Sequence, residues 1–227
     1  MTGRIYSFGV QRCTEHEQLF DVLTAYGVNV VIDLRNDAEV RKQGRLFGRT
    51  ELTELLSLNG IHYRNYRDNF SMETRERKFL TSARYVDYDK YETSADFKSG
   101  ITKMVNSVNQ GFVVCLLGWA REPTDCHRFF VGEALYRNGI DVLHIGSGTE
   151  DPHSFLRQQF VDAECPVLDH VPMFEVKTQT FEERLAEARQ KLNKRLGERY
   201  LKEASTNEKP AYRHLVGSGN YPFAFCL

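Results

Sequence analysis

The sequence predicts an α/β protein, a Rossmann-like three-layer sandwich with a mainly parallel five-stranded sheet and a C-terminal helical extension. Three observations predict it. From residue 4 to 145 short apolar runs alternate with amphipathic stretches, the pattern of parallel strands joined by crossover helices. The run FVVCLL at 112–117 is continuously apolar, as a strand buried on both faces must be. Gly27 and Asn138-Gly139 close amphipathic stretches, and a glycine there supplies the left-handed cap that ends a helix.

Strands are expected over 4–8, 29–33, 62–66, 112–117 and 142–145, and helices over 15–26, 49–58, 95–109 and 129–138. Thr14 can cap the first helix with Glu17 at the capping-box position, and Gly27 ends it. The stretch from Arg67 to Thr93 is polar, rich in Tyr and Arg, and long for a connection in a compact domain. It reads as a lid or binding loop. After Ile145 the pattern changes: Gly146-Ser147-Gly148 is a turn, 154–160 a short helix, and Phe181, Leu185, Ala188, Leu192 and Leu196 form one stripe of a long helix. This organises the chain as a core over 1–148 and an extension over 149–227. The stripe should pack on the core or on a second subunit, making a homo-oligomer through this helix an expectation. The tail ends in Tyr221-Pro222-Phe223-Ala224-Phe225, too apolar to stand alone in water, so docking on this chain or a partner is expected.

Composition narrows the classes. With 227 residues, 41% of them hydrophobic, the chain can bury the core of a full domain. Its formal net charge of -1 excludes a global electrostatic signature for nucleic acid, leaving room for a local basic face. No run approaches the roughly 18 apolar residues of a membrane span, and Met1-Thr2-Gly3-Arg4 leads straight into a strand rather than a signal peptide. A cytoplasmic protein without a membrane partner is expected. The five cysteines are odd in number and form no C-x-x-C pair, which speaks against a zinc ribbon or a disulfide scaffold.

Cys126-His127-Arg128 is the most informative run, because it follows a predicted strand and opens a predicted helix. A helix N-terminus offers unpaired N–H groups and partial positive charge, which lower a thiol's pKa or hold an anion. Ser7-Phe8-Gly9 and Asp33-Leu34-Arg35 also end predicted strands. In an open parallel sheet, ligands bind beyond the carboxyl ends of the strands where connections diverge. A sheet order of 3-2-1-4-5 would bring all three segments to one crevice.

These residues resemble the family called domain of unknown function 488. Its members pair a Thr-Ile-Gly-His-Ser-like strand end with Asp-Val-Arg, a Cys-x-Glu segment, Pro-x-x-Cys-His-Arg and a Val-x-His-Ile-like strand. The matching residues are Tyr6-Ser7-Phe8-Gly9, Asp33-Leu34-Arg35, Phe47, Gly60-Ile61-His62-Tyr63, Cys115, Pro123-Thr124-Asp125-Cys126-His127-Arg128 and Val142-Leu143-His144-Ile145. The resemblance spans about residues 4–146 and implies a fold and a site rather than a reaction. The chain departs from it with Val10-Gln11 in place of His-Ser and with a longer spacer after Cys115, where Glu122 is the nearest equivalent of the family's acidic residue.

Three chemistries follow. The first is an enzyme acting on a nucleotide or nucleic acid, hydrolytic or base- or sugar-modifying, such as N-glycosidic cleavage. In it Arg35 and Arg128, with Ser7, Gly9 and Glu122, bind ligand or phosphate, and Asp33, Cys126 and His127 are the catalytic candidates. Cys126 is either a thiolate nucleophile or a thiol in the pocket wall, and its neighbours Phe129 and Phe130 favour the wall. The second is a non-catalytic nucleotide or nucleic-acid binding module using Tyr63, Tyr66, Tyr85, Tyr88 and Tyr91 interleaved with arginines. The third, a metal-dependent enzyme with Cys115, Cys126 and His127 as ligands, lacks any standard spacing. No cofactor is expected, and His16, His144, His153, His170 and His214 read as scattered surface or core histidines.

Overall fold

The computed structural model describes residues 3–42, 47–70, 76–146, 149–166 and 179–206. Its sheet has six strands: β1 (Arg4–Gly9), β2 (Val30–Asp33), β3 (His62–Asn65), β4 (Val113–Gly118), β5 (Leu143–Ile145) and β6 (Glu150–Pro152). They are ordered β3-β2-β4-β1-β5-β6. All neighbours run parallel except β5 and β6. The α/β class therefore stands, with two corrections. A sixth, antiparallel edge strand is added, and β4 lies between β2 and β1 instead of outside β1. Both β1 and β4 are buried on both faces, so apolar patterning alone does not say which is central.

The helices are α1 (His16–Ala25), α2 (Asp37–Lys42), α3 (Arg49–Leu58), α4 (Arg67–Phe70), α5 (Tyr88–Tyr91), α6 (Ala95–Asn109), α7 (Arg128–Arg137), α8 (His153–Glu164) and α9 (Phe181–Thr206). Strand alternation sorts them. Tyr6, Phe8, Val31, Cys115 and Leu117 face one side with Leu19 and Leu23 of α1 and Leu52 and Leu56 of α3. Ile5, Ile32, Val114 and Leu116 face the other with α5 to α9. The capping of α1 sits one residue later than expected: Glu15 and Gln18 form the box, while Thr14 donates its backbone N–H to Gln18 Oε1 at 2.7 Å. Gly27, Gly60 and Gly139 take positive φ at helix ends, as left-handed caps do.

Within the Tyr- and Arg-rich stretch, Tyr88 and Tyr91 are corrected from a stacking surface to core. Tyr88 and Tyr91 are buried among Phe70, Phe79 and Phe97, and Tyr88 stacks on Phe130 with ring centroids 4.4 Å apart. A tyrosine brings as much apolar ring as a phenylalanine, and here the rings go inward; residues 71–75 lie outside the described ones. The stripe of α9 also packs inward, with Leu185, Ala188, Leu192 and Leu196 buried in the same core. The chain's own sheet side takes the face that a second subunit would otherwise cover. The aromatic tail lies outside the described residues, and among those described no helix is long and apolar enough to cross a membrane.

Candidate functional site

The helix after β4 packs on one face of the sheet, whereas the helices α1 and α3 that follow its neighbours β1 and β2 pack on the other. The carboxyl end of β4 is thus the point where connections diverge. Ser7, Gly9, Asp33, Arg35, Cys126, His127 and Arg128 are all at this end. Glu122 lies apart, more than half exposed and paired with Arg12 at 2.6 Å.

Asp33 and Arg35 form a closed ion pair. Arg35 Nε donates to Asp33 Oδ1 at 2.9 Å and Nη2 to Oδ2 at 2.7 Å, while its backbone N–H reaches Oδ1 at 3.0 Å. Tyr63 donates its hydroxyl to Oδ2 at 2.6 Å, and Arg35 Nη1 donates to the Phe47 carbonyl at 3.1 Å. Both side chains are fully buried. Burial pushes the Asp33 carboxyl up, and the Arg35 charge, its hydrogen bonds and the Tyr63 hydroxyl outweigh this and hold it below the usual range. A carboxylate accepting four bonds has little basicity left, so the pair anchors the loop after β2.

Arg128 begins α7 and folds back over the end of β4. Its Nη1 donates to Ser7 Oγ at 3.2 Å and its Nη2 to the carbonyls of Ala120 at 2.5 Å and Arg121 at 3.3 Å. Its Nε is buried with no partner. A Cβ on Gly118 would lie 2.3 Å from Arg128 Cδ, and one on Gly9 would lie 1.9 Å from the Ala120 carbonyl oxygen. Both glycines are explained by close approach within the protein, Gly9 to backbone and Gly118 to this arginine.

Ser7 also starts a buried chain that sequence reasoning missed. Its Oγ lies 2.7 Å from His144 Nδ1, His144 Nε2 lies 2.9 Å from His153 Nδ1, and His153 Nε2 lies 3.1 Å from Glu133 Oε1. Glu133 Oε1 accepts Arg157 Nε at 2.9 Å as well. Burial pushes the Glu133 carboxyl up, and the hydrogen bonds from His153 and then Arg157 outweigh this and hold it down at about 2. An ionised carboxylate only accepts, so His153 Nε2 and His144 Nε2 carry the protons and Ser7 donates to His144 Nδ1. Burial, followed by the neighbouring His153 ring and the Arg128 charge, keeps His144 well below the ordinary histidine range. The signal was available in part: Ser7 and His144 are register partners on neighbouring strands.

Cys126 and His127 are 1% and 2% exposed. A 3-10 turn at Pro123–Asp125 precedes them, and His127 is the residue that caps α7. His127 Nε2 donates to the Leu34 carbonyl at 2.9 Å, leaving Nδ1 to face Cys126 Sγ at 3.8 Å. Burial pushes the thiol up, but the His127 charge and hydrogen bond, then Arg128 and its backbone N–H, bring it well below the ordinary value. Burial depresses His127, and the Cys126 charge and hydrogen bond followed by Glu39 raise it to about 9. The two shifts run in the direction of a thiolate facing an imidazolium, each favouring the charged form of the other. Elsewhere burial pushes Cys13 up to about 11 and Cys115 up to about 12, leaving those thiols inert.

Glu39 is a second residue that sequence reading missed. Its backbone N–H donates to Asn36 Oδ1 at 2.8 Å and its Oε2 accepts the Asn36 backbone N–H at 2.9 Å, a capping box for α2. Burial raises its carboxyl to about 6 despite the nearby His127 charge. Asn36, Glu39 and His127 line a cavity of about 20 Å³ that Leu196, Arg199, Tyr200 and Glu203 of α9 close. Arg199 Nη2 donates to the Asp125 carbonyl at 2.9 Å, and Glu203 pairs with Lys42. Among the described residues no three His, Cys, Asp or Glu side chains converge as a metal-binding group, so Cys115, Cys126 and His127 form no such set.

Comparison with curated proteins and with solved structures gives no significant match. The family profile described as "Domain of unknown function DUF488" matches residues 15–135, which take in the Asp33–Arg35 pair, Glu39 and the whole Cys126-His127-Arg128 run. The match covers more than half of the chain, and the chain belongs to that family.

Proposed function

We propose that the protein is an enzyme that acts on a nucleotide or nucleic acid through the thiolate of Cys126, as a hydrolase or transferase. The observation that carries this reading is the pairing of Cys126 with His127 Nδ1 at 3.8 Å beside the buried Glu39. A thiolate is a strong nucleophile already at neutral pH. Its electron pair would form a bond to the electrophilic centre as the bond to the leaving group breaks. Glu39, raised to about 6, is suited to hand the departing atom a proton. Water or a second acceptor then displaces the thiolate and restores it, and N-glycosidic cleavage is one reaction of this class. The position at the switch point supports a nucleotide-like substrate.

The test pairs alkylation with turnover. Iodoacetamide should label Cys126 in the native protein at pH 7, with protection by a bound nucleoside, nucleotide or oligonucleotide. Cys126→Ser should abolish turnover of that compound and leave its affinity nearly intact. An unlabelled thiol together with full activity in Cys126→Ser overturns the proposal. Salt-dependent retention of nucleic acid without product would identify a binding module instead.

A further inference from the structure

We infer that the outer face of α9 is a binding site for the phosphate backbone of a nucleic acid, laid across the loop that leads into Cys126. Lys191, Lys194, Arg195, Glu198, Arg199 and Lys202 line an open groove of about 500 Å³. Spacings of three, four and seven residues put these side chains on one side of a helix, and from 191 to 202 they extend about 16 Å at 1.5 Å per residue. That is roughly five nucleotides of one duplex strand at about 3.4 Å each.

The inner face of the same helix is buried in the core, so this array is held rigid. Among the described residues at least three carboxylates temper the charge: Glu187 pairs with Lys191, Glu198 with Lys194 and Glu164 with Arg195. These are partly exposed surface pairs, which are weak and give way to a phosphate. Arg199 instead donates to the neutral Asp125 carbonyl at 2.9 Å. The net charge of the whole chain is -1, so a local excess of cations distinguishes this face and is complementary to a polyanion.

Placement supplies the second argument. Arg195 Nη2 donates to the Thr124 carbonyl at 3.3 Å and Arg199 to that of Asp125, the two residues immediately before Cys126. Arg199 lines both the groove and the small cavity with Glu39 and His127. A backbone seated in the groove therefore runs beside the turn that leads into Cys126. The inference rests on the proposed nucleotide chemistry for its purpose and makes the substrate polymeric, a nucleic acid rather than a mononucleotide.

The test is fluorescence anisotropy of the full chain with a labelled 20-base-pair DNA duplex and a 20-nucleotide single strand at several salt concentrations, with ATP as competitor. Binding should fall steeply with salt, on the order of the third to fifth power of its concentration for five contacts. Lys194→Glu with Lys202→Glu should weaken it about tenfold or more and lower that power by about two. ATP should compete only at far higher concentration. Wild-type affinity in the double variant, no binding of either oligonucleotide at low salt, or equal affinity for phosphatidylserine vesicles overturns the inference. Iodoacetamide labelling of Cys126 without nucleic acid reads the thiol proposal separately, so an inert thiol beside a functioning groove, or the reverse, tells the two failures apart.

Discussion

Two buried charge pairs stand at the same end of the sheet, Asp33 with Arg35 after β2 and Cys126 with His127 after β4, and they differ in how completely they are satisfied. Asp33 accepts four hydrogen bonds, and Arg35 has a backbone carbonyl besides. The thiolate has one long contact to an imidazolium and a backbone N–H, and His127 borders a cavity. A saturated pair has no lone pair left for a substrate. An under-satisfied one keeps its nucleophilicity, and the two pairs thereby separate into scaffold and chemistry.

The largest expected effect tests that division directly. Asp33→Ala leaves Arg35 buried and uncompensated, which should cost about 3–5 kcal/mol of unfolding free energy. Cys126→Ser nearly conserves volume and should cost about 1 kcal/mol while abolishing labelling and turnover. Urea unfolding of both variants reads the first quantity. A stable Asp33→Ala protein that has lost only ligand binding would move Asp33 from scaffold to chemistry.

The next effect concerns pH. His127 is raised from the ordinary 6.5 to about 9, so the stability it contributes is fully present below pH 6.5 and lost as pH rises through about 9. Cys126 is lowered, so its contribution is present at and above the ordinary thiol range and lost as pH falls through its lowered value. Both charges coexist between that value and about pH 9. In His127→Asn only Arg128 opposes burial, and burial opposed by the same Arg128 charge takes Cys115 to about 12. Alkylation at pH 7 should slow by about tenfold for each unit the thiol rises, two orders of magnitude or more in all. An unchanged rate–pH profile would show that His127 does not hold the thiolate.

How much of this was legible in the sequence differs between the two pairs. The strands and the strand-to-helix position of Cys126-His127-Arg128 followed from apolar runs, because local patterning fixes local structure. Asp33 and Arg35 drew attention as ligand residues, yet their spacing of two already permitted the local ion pair that forms. Glu39 was hidden because Asn36-x-x-Glu39 spells a capping box, and its chemical interest comes from burial by α9, a contact about 160 residues away in the chain. The order of β1 and β4 was equally beyond reach, since both are buried on each face. Tyr88 and Tyr91 misled for a physical reason: alternation with arginine looks like a stacking surface, while their rings meet the core's need for apolar area.

The smallest expected effect sharpens the idea of saturation. Tyr63 supplies one of the four bonds to Asp33, at 2.6 Å to the same Oδ2 that Arg35 Nη2 holds at 2.7 Å. Tyr63→Phe removes that donor and leaves the bidentate arginine and the backbone N–H in place. Because a charged acceptor loses one bond of several and keeps its counter-ion, the cost should be about 1–2 kcal/mol in urea unfolding, below that of Asp33→Ala. The Asp33 carboxyl should rise toward its ordinary value, because the Tyr63 hydroxyl is one of the groups that hold it down. Asp33 contributes its stability above the ordinary carboxylate range and loses it as pH falls through its folded-state value, so the variant's smaller shift makes the difference from wild type largest at neutral pH and smaller as pH falls through the raised value. Cys126 labelling at pH 7 should not change, since Tyr63 is not among the groups that set the thiol. A fall in labelling as large as that of His127→Asn would mean that the two pairs are coupled across β2 and β4, and that the division between scaffold and chemistry is false.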